Sequence, residues 1–329
     1  FIGIDLMGLP KSPISAIMMA IILGIIIRNT ISLPASLQPG IRFGLVRVLR
    51  LGIVLLGIRL SLSQAGAIGF QALPVIIAAV AAALMIVTFL AKRMGLSGKL
   101  GTLIAVGTSI CGATAIVATA PTIAAKDDEV AYSVACITLF GVVAMLVYPF
   151  AGHFIFDGDA FKSGLFLGTS VHETAQVAGA GLVYQQYYSD PQALDVATVT
   201  KLVRNLGMLL IIPLMSILYH RNHSDGTEAP KWYTMIPLFV IGFACMSLIR
   251  TVGDMGEQPF GILDPAMWKT IVGHVKEAAE LCLAVAMAAV GLGTSIKGLR
   301  DIGLKPLGAG LIAAVLVGGV SIAMISLLY

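Results

Sequence analysis

The chain is a succession of apolar runs, each close to the length that crosses hydrocarbon, separated by short polar turns. A window of about 19 residues, matched to a hydrocarbon core of ~30 Å, finds runs near 12–28, 44–62, 70–92, 100–125, 130–152, 160–185, 196–219, 232–250, 268–296 and 304–328. Their breaks carry turn chemistry, as at Leu33-Pro34, Gln38-Pro39-Gly40, Asp157-Gly158-Asp159, Asp190-Pro191, Ser224-Asp225-Gly226 and Asp264-Pro265. No connection has the length of a soluble domain; the longest polar stretch runs only from about His220 to Lys231. Composition agrees: 12% of residues are charged, where a soluble globule carries about a quarter. The expectation is one all-α polytopic membrane domain over residues 1–329, with about ten transmembrane helices.

A formal net charge of +4 is too small to imply a nucleic-acid partner. Cys111, Cys136, Cys245 and Cys282 are scattered without a Cys-x-x-Cys pair, which suggests packing rather than disulfides or zinc. Because the chain opens on Phe1, an N-terminal segment is expected to be missing.

Charge alternates in sign from one connection to the next. Arg28, Arg42 and Arg47 lie between spans 1 and 2, Lys92, Arg93 and Lys99 between 3 and 4, Arg221 and Lys231 between 7 and 8, and Lys297, Arg300 and Lys305 between 9 and 10. The positive-inside rule makes all of these cytoplasmic. The intervening loops are neutral or acidic: Lys126-Asp127-Asp128-Glu129, Asp190 to Asp195, and Asp254 to Asp264. With every run crossing, these fall outside, residue 1 is also outside, and a cytoplasmic start needs one more helix. Only the loop with Asp157, Asp159 and Lys162, counted as cytoplasmic, has a weak sign.

Two internal echoes suggest duplication. Gly57 to Leu73 and Gly291 to Leu307 share Gly57/Gly291, Ser61/Ser295, Ile68/Ile302, Gly69/Gly303 and Leu73/Leu307. Seven spans separate them, and an odd number makes the repeat inverted, the architecture of alternating-access carriers. The second echo sets Gly107-Thr108-Ser109-Ile110-Cys111-Gly112-Ala113-Thr114 of span 4 beside Gly168-Thr169-Ser170-Val171-His172-Glu173-Thr174-Ala175-Gln176 of span 6. Gly-Thr-Ser is poor helix chemistry. A mid-membrane break is tolerated where it is buried in protein or lines a wet cavity. Half-helix N-termini exposed at such a break attract anions; the plainer alternative is that these small residues let helices pack closely.

Span 7 carries Lys201, Arg204 and Asn205 at i, i+3 and i+4, hence on one face. Arg204 would lie roughly 12 Å from the outer end of its span, Glu173 ~20 Å along span 6 and the Ser109–Gly112 break about 13–18 Å along span 4. Charges at that depth require partners or a cavity. Lys201 could instead snorkel to the outer interface, and Arg204 with Glu173 could be a structural ion pair. The chemistry suggested is anion recognition: Arg204, Lys201, Ser109, Thr108, Ser170 and Thr169 supply a guanidinium fork, an ammonium and hydroxyls. His172 and Glu173 both titrate, which suits proton coupling. Cys111, Gly112, Thr114, Gln176 and Asn205 complete the candidate substrate site. His274, Lys276, Glu277 and Glu280 read as a solvated helix end. His172-Glu173-x-x-Gln176 lacks the second His of a zincin, and no catalytic constellation, metal site or cofactor motif is evident, so an enzyme is not expected.

Leu51-Gly52-Ile53-Val54-Leu55-Leu56-Gly57-Ile58-Arg59-Leu60, Ser109-Ile110-Cys111-Gly112-Ala113, Val171-His172-Glu173-Thr174-Ala175-Gln176-Val177 and Lys201-x-x-Arg204 together resemble the YeiH family of bacterial inner-membrane proteins, described as sulfate exporters. The resemblance covers essentially the whole chain. It implies a multi-pass inner-membrane location, an additional N-terminal helix, interleaved core and panel subdomains, a homodimer, and membership of the broad group of bile-acid and cation/proton antiporters. That group has a crossed pair of broken helices running in opposite directions, whereas spans 4 and 6 run in the same direction when every run is counted as crossing.

The expected function is secondary transport of a small anion such as sulfate or an organosulfonate by alternating access, coupled to H+ or Na+. The alternative is a cation/proton antiporter using Glu173. A channel or an intramembrane enzyme stands behind both.

Overall fold

The computed structural model describes residues 16–31, 33–220, 237–256, 258–295 and 304–329. Helix accounts for nearly all of them, and no strand occurs among the described residues. The helices are α1 (Ala16–Thr30), α2 (Gln38–Phe43) and α3 (Leu49–Leu56), α4 (Leu62–Ala82) and α5 (Thr88–Arg93), α6 (Gly98–Ser109) and α7 (Ala113–Thr119), and α8 (Asp127–Ile155). They continue with α9 (Ala160–Ser170) and α10 (Thr174–Tyr188), α11 (Gln192–Leu206) and α12 (Met208–His220), α13 (Leu238–Gly253), α14 (Pro265–Gly293) and α15 (Leu304–Leu328). Each expected run therefore carries helix where it is described. Four helices, Leu62–Arg93, Asp127–Ile155, Gln192–Tyr219 and Lys305–Leu328, are long and apolar enough by length and composition to cross a membrane, and shorter apolar helices accompany them. The chain is an all-α membrane protein.

The starts of the helices are written locally. Ser61 accepts from Gln64 N–H to begin α4 in a capping box, Ser97 accepts from Leu100 N–H at α6, Asp159 from Lys162 N–H at α9, and Asp264 from Ala266 and Met267 N–H at α14.

The structure corrects one expectation decisively: spans 4 and 6 do not run straight through. The Lys99 ammonium at the start of α6 donates to Ala124 O, beyond the end of α7, at 2.5 Å. A straight helix would hold these residues roughly 37 Å apart. Leu103 packs with Ile116, Ala120 and Ile123, so α7 returns antiparallel along α6. The second hairpin closes in the same way: the Tyr184 hydroxyl in α10 donates to Gly158 O, just before α9, at 3.3 Å, and His153 stacks on Tyr188 with ring centroids 3.5 Å apart. Both segments are re-entrant, entering the bundle to a tip and returning to the end they left.

The hairpins enter from opposite ends. The first opens at the end that also holds Tyr219, beneath Lys99, and Lys305, beside Gly95. The second opens at the other end, where Phe161 meets Tyr329 with ring centroids 5.9 Å apart, Leu62 N–H donates to Thr251, and Ile17 N–H donates to Gln186. The Lys126–Glu129 connection therefore shares an end with Lys99, and the Asp157–Lys162 connection shares one with Asp190 and Asp195. Both are reversed from the expectation, which removes the weak sign at Asp157, Asp159 and Lys162 as an anomaly. It also resolves the conflict of direction, because the two tips approach head-on. Dropping two re-entrant segments from the seven between the first pair of echoes leaves the parity unchanged, so the argument for an inverted repeat stands; residues 296–303 of its second copy, with Lys297 and Arg300, lie outside the described residues, as do Arg221 and Lys231.

Small residues let the second hairpin approach α11 closely. A methyl group on Gly164 would fall 2.7 Å from Val196 Cβ, and one on Gly168 2.6 Å from Thr200 Cβ. This is a Gly-x-x-x-Gly ridge running parallel to α11. On the returning arm, Gly181 meets Leu194, and Asn205 Nδ2 donates to Thr174 Oγ1 at 3.2 Å, so α10 is antiparallel to α11. The arms of this hairpin and α11 are buried on nearly every face.

Candidate functional site

The two tips, Ile110–Gly112 and Val171–Glu173, meet beside α11. Four backbone carbonyls are left over at the C-terminal end of any helix, and α6 and α9 both end among buried residues. Lys201 and Arg204 answer both ends at once. The Lys201 ammonium donates to Ile110 O at 2.8 Å, to Val171 O at 3.1 Å and to His172 O. Arg204 donates from Nε to Ser109 O at 2.7 Å, from Nη1 to Thr169 O at 2.6 Å and Val171 O at 3.2 Å, and from Nη2 to Thr108 O. Both side chains are buried. Cations at helix C-termini are electrostatically favoured, and the i, i+3 spacing on one face of α11 lets the pair serve two helix ends.

Glu173 does the complementary work at the N-terminal ends. It is the N-cap residue of α10, and the Gln176 side chain accepts from its backbone N–H at 3.1 Å. Thr138 Oγ1 of α8 donates to Glu173 Oε1 at 2.8 Å, and the Ala113 N–H opening α7 also points at this carboxylate. Gln176 Nε2 reaches Thr138 O at 3.1 Å, over Gly141, where a methyl group would fall 1.9 Å from Gln176 Oε1. Among the described residues Glu173 makes no direct ion pair with Lys201 or Arg204. The crossing thus holds two cations and one carboxylate, each anchored to backbone rather than to one another.

Most residues expected at the site are gathered here, though not with the expected roles. The hydroxyls of Ser109, Thr169 and Ser170 donate back to carbonyls of their own helices, those of Val106, Leu165 and Phe166. Cys111 Sγ rests 3.4 Å from Met208 Sδ. Thr114 is exposed, unlike the buried cluster. At the crossing, four of the described residues keep buried polar atoms with no hydrogen-bond partner: both ring nitrogens of His172, Thr108 Oγ1, Thr200 Oγ1 and Asn205 Oδ1. Thr138 and Thr200 belong to the cluster and were missed by sequence reasoning; Thr138 is an isolated threonine in an apolar stretch, and Thr200 adjoins Lys201.

A second charged cluster lies nearer the end where the second hairpin opens. Arg59 bonds Asp195 through Nε at 2.5 Å, Glu280 through Nη1 at 3.1 Å and Gln185 through Nη2 at 3.3 Å. Glu280 was expected on a solvated helix end and instead joins this network, while His274 and Glu277 are exposed as expected.

A profile of the family described as conserved hypothetical protein 698 matches residues 6–310. A UPF0324 membrane protein of Fusobacterium nucleatum is 33% identical over 303 residues, covering 91% of this chain and 85% of its own length. A second, from Streptococcus agalactiae, is 34% identical over 300 residues, covering 91% and 86%. A third, from Agrobacterium fabrum, is 33% identical over 311 residues, covering 94% and 84%. No solved structure matches significantly.

Proposed function

The chain belongs to the family of conserved hypothetical protein 698, the UPF0324 membrane proteins, which is the same family as YeiH, and from that premise we propose that it is a secondary carrier of a small anion working by alternating access at the meeting hairpin tips. One observation carries this reading: the crossing is positive. Lys201 and Arg204 face one carboxylate, Glu173, and the paired helix C- and N-termini offset each other. One surplus positive charge in a low-dielectric interior favours an anionic occupant.

Glu173 and a cargo anion would compete for the same donors. While ionised, the carboxylate holds the Thr138 hydroxyl and the Ala113 N–H at the start of α7, a helix-terminal donor of the kind an anion would use. A proton on Glu173 removes that competitor and raises the local charge, so proton and anion bind together. Sulfate and organosulfonates fit this chemistry. Hairpins entering from opposite ends also suit alternating access, since each tip can serve as a gate for its own end.

The test is uptake into proteoliposomes at two pH values with sulfate, sulfite, taurine and carboxylates as cargo. Saturable uptake of one of these, steeper with inward proton gradients and independent of pH in Glu173→Gln, is the expected result. Unchanged pH dependence in Glu173→Gln rejects the coupling role. A second reading rests on Glu173 being the carboxylate at the crossing, poised to bind a cation: sodium-driven proton exchange in the same liposomes, without anion uptake, would replace the anion carrier by an antiporter.

A further inference from the structure

Away from the tips, a cavity of about 680 Å³ opens where the first hairpin enters the bundle. Its polar wall belongs to the hairpin: Ser97, Lys99 and Thr102 of the α6 arm, with Lys126 beyond the α7 arm. Its apolar wall belongs to the scaffold, with Leu84 from the segment joining α4 to α5 and Met215 from α12. Lys99 gives one N–H to Ala124 O and lies 5.5 Å from the Tyr219 ring centroid, and an ammonium has three N–H donors. Glu129, also on the wall, accepts from Ser97 Oγ and Lys126 N–H, which leaves the two lysine side chains in formal excess over it.

The apolar wall connects to the candidate site. Leu84 and Met215 pack against a cluster of Val106, Ile110, Cys111, Met208 and Ile212, and that cluster contains the tip of the first hairpin. Within that cluster a flexible thioether rests on a thiol, Met208 on Cys111. Methionine is the side chain that most readily repacks, and Gly207 precedes Met208 at the junction of α11 and α12.

We propose that this cavity is the cargo vestibule at the basic end and that it selects organic anions with an apolar body, such as alkanesulfonates, over bare oxyanions. The proposal rests on the anion-carrier reading and narrows its substrate class. The volume lies among pockets that take organic ligands, about 300–1,000 Å³, and far exceeds the need of a bare tetrahedral oxyanion. The arrangement of ammonium groups on one wall and Leu and Met on the other is what an amphiphilic anion requires.

The experiment is ligand-dependent thermal stabilisation of the purified full chain in nanodiscs, with hexanesulfonate and sulfate as probes, each shift taken relative to that variant's own Tm. Hexanesulfonate is expected to bind the wild type at least about tenfold more tightly than sulfate. Lys99→Gln should weaken it by roughly tenfold, and Lys99→Arg should restore most of the loss; if Lys99→Gln does not fold, Lys126→Gln is measured in the same way. Equal affinities for the two probes, or binding unchanged in both glutamine variants, overturns the vestibule. This readout does not need transport. Lysine-dependent hexanesulfonate binding without anion uptake in liposomes would keep the site and remove the carrier reading, and anion uptake with no such binding would do the reverse.

Discussion

Gly112 lies directly beneath Glu173: a methyl group on Gly112 would fall 2.5 Å from the Glu173 Cγ. In the second echo these two residues occupy equivalent places, so the duplicated tips are complementary rather than alike. One tip supplies the carboxylate and the other supplies the room for it. Gly112 also sits at φ +71°, a conformation in which a Cβ is strained. Gly112→Ala is therefore expected to cost about 2 kcal/mol or more and to displace Glu173, removing the pH dependence of transport. Thermal unfolding and pH-resolved uptake, measured together, check both halves.

Arg204 is expected to be indispensable for folding before it is tested in transport. Arg204→Ala would strand the carbonyls of Thr108, Ser109 and Thr169 without this donor, at about 3 kcal/mol or more. Arg204→Lys should recover only part of this, because a point-like ammonium cannot fork between two helix ends. Denaturant unfolding in mixed micelles, with full stability in Arg204→Ala as the contrary result, decides it.

The re-entrant topology predicts which positions share a side. On a background without cysteine, Lys92→Cys and Asp128→Cys should react with an impermeant thiol reagent from one side, and Asp159→Cys and Asp190→Cys from the other. Straight spans would put position 128 opposite position 92.

Acid should loosen the loop between α13 and α14 through Asp254. Burial pushes its carboxyl up, but hydrogen bonds from Trp268 Nε1 and Arg250 Nε and the Arg250 charge outweigh it and hold the group below its ordinary value near 3.8. A depressed carboxylate contributes stability that is present above the ordinary value and is lost as pH falls through the folded one. With Trp232→Phe leaving Trp268 as sole reporter, the fluorescence of Trp268 should shift below about pH 4, and Asp254→Asn should flatten that transition. An identical acid transition in the variant removes Asp254 as its cause.

Much of the site was legible because its residues announce themselves against an apolar background. Lys201, Arg204 and Asn205 share a helical face by spacing alone, and Glu173 stands out as a carboxylate inside an apolar run. What they bind was not legible. The cations looked like free anion ligands, yet each donates to a set of accepting carbonyls 29 to 96 residues away, which no local pattern records. Thr138 was invisible for the same reason, since a threonine in an apolar helix carries no mark of what faces it.

The amino-acid order alone determined the solvent, the helical content and the places where helices must stop, because hydrophobic length and Gly-Thr-Ser chemistry act over a few neighbouring residues. It did not determine what the chain does after stopping. Residues 110–112 and 171–173 can either continue a helix or reverse it, and local preference is similar for both. Tertiary packing chose reversal: Lys99 reaching Ala124, Tyr184 reaching Gly158, and Arg204 bridging both ends are favourable only when the arms fold back. That choice placed the tips head to head and made the charged crossing.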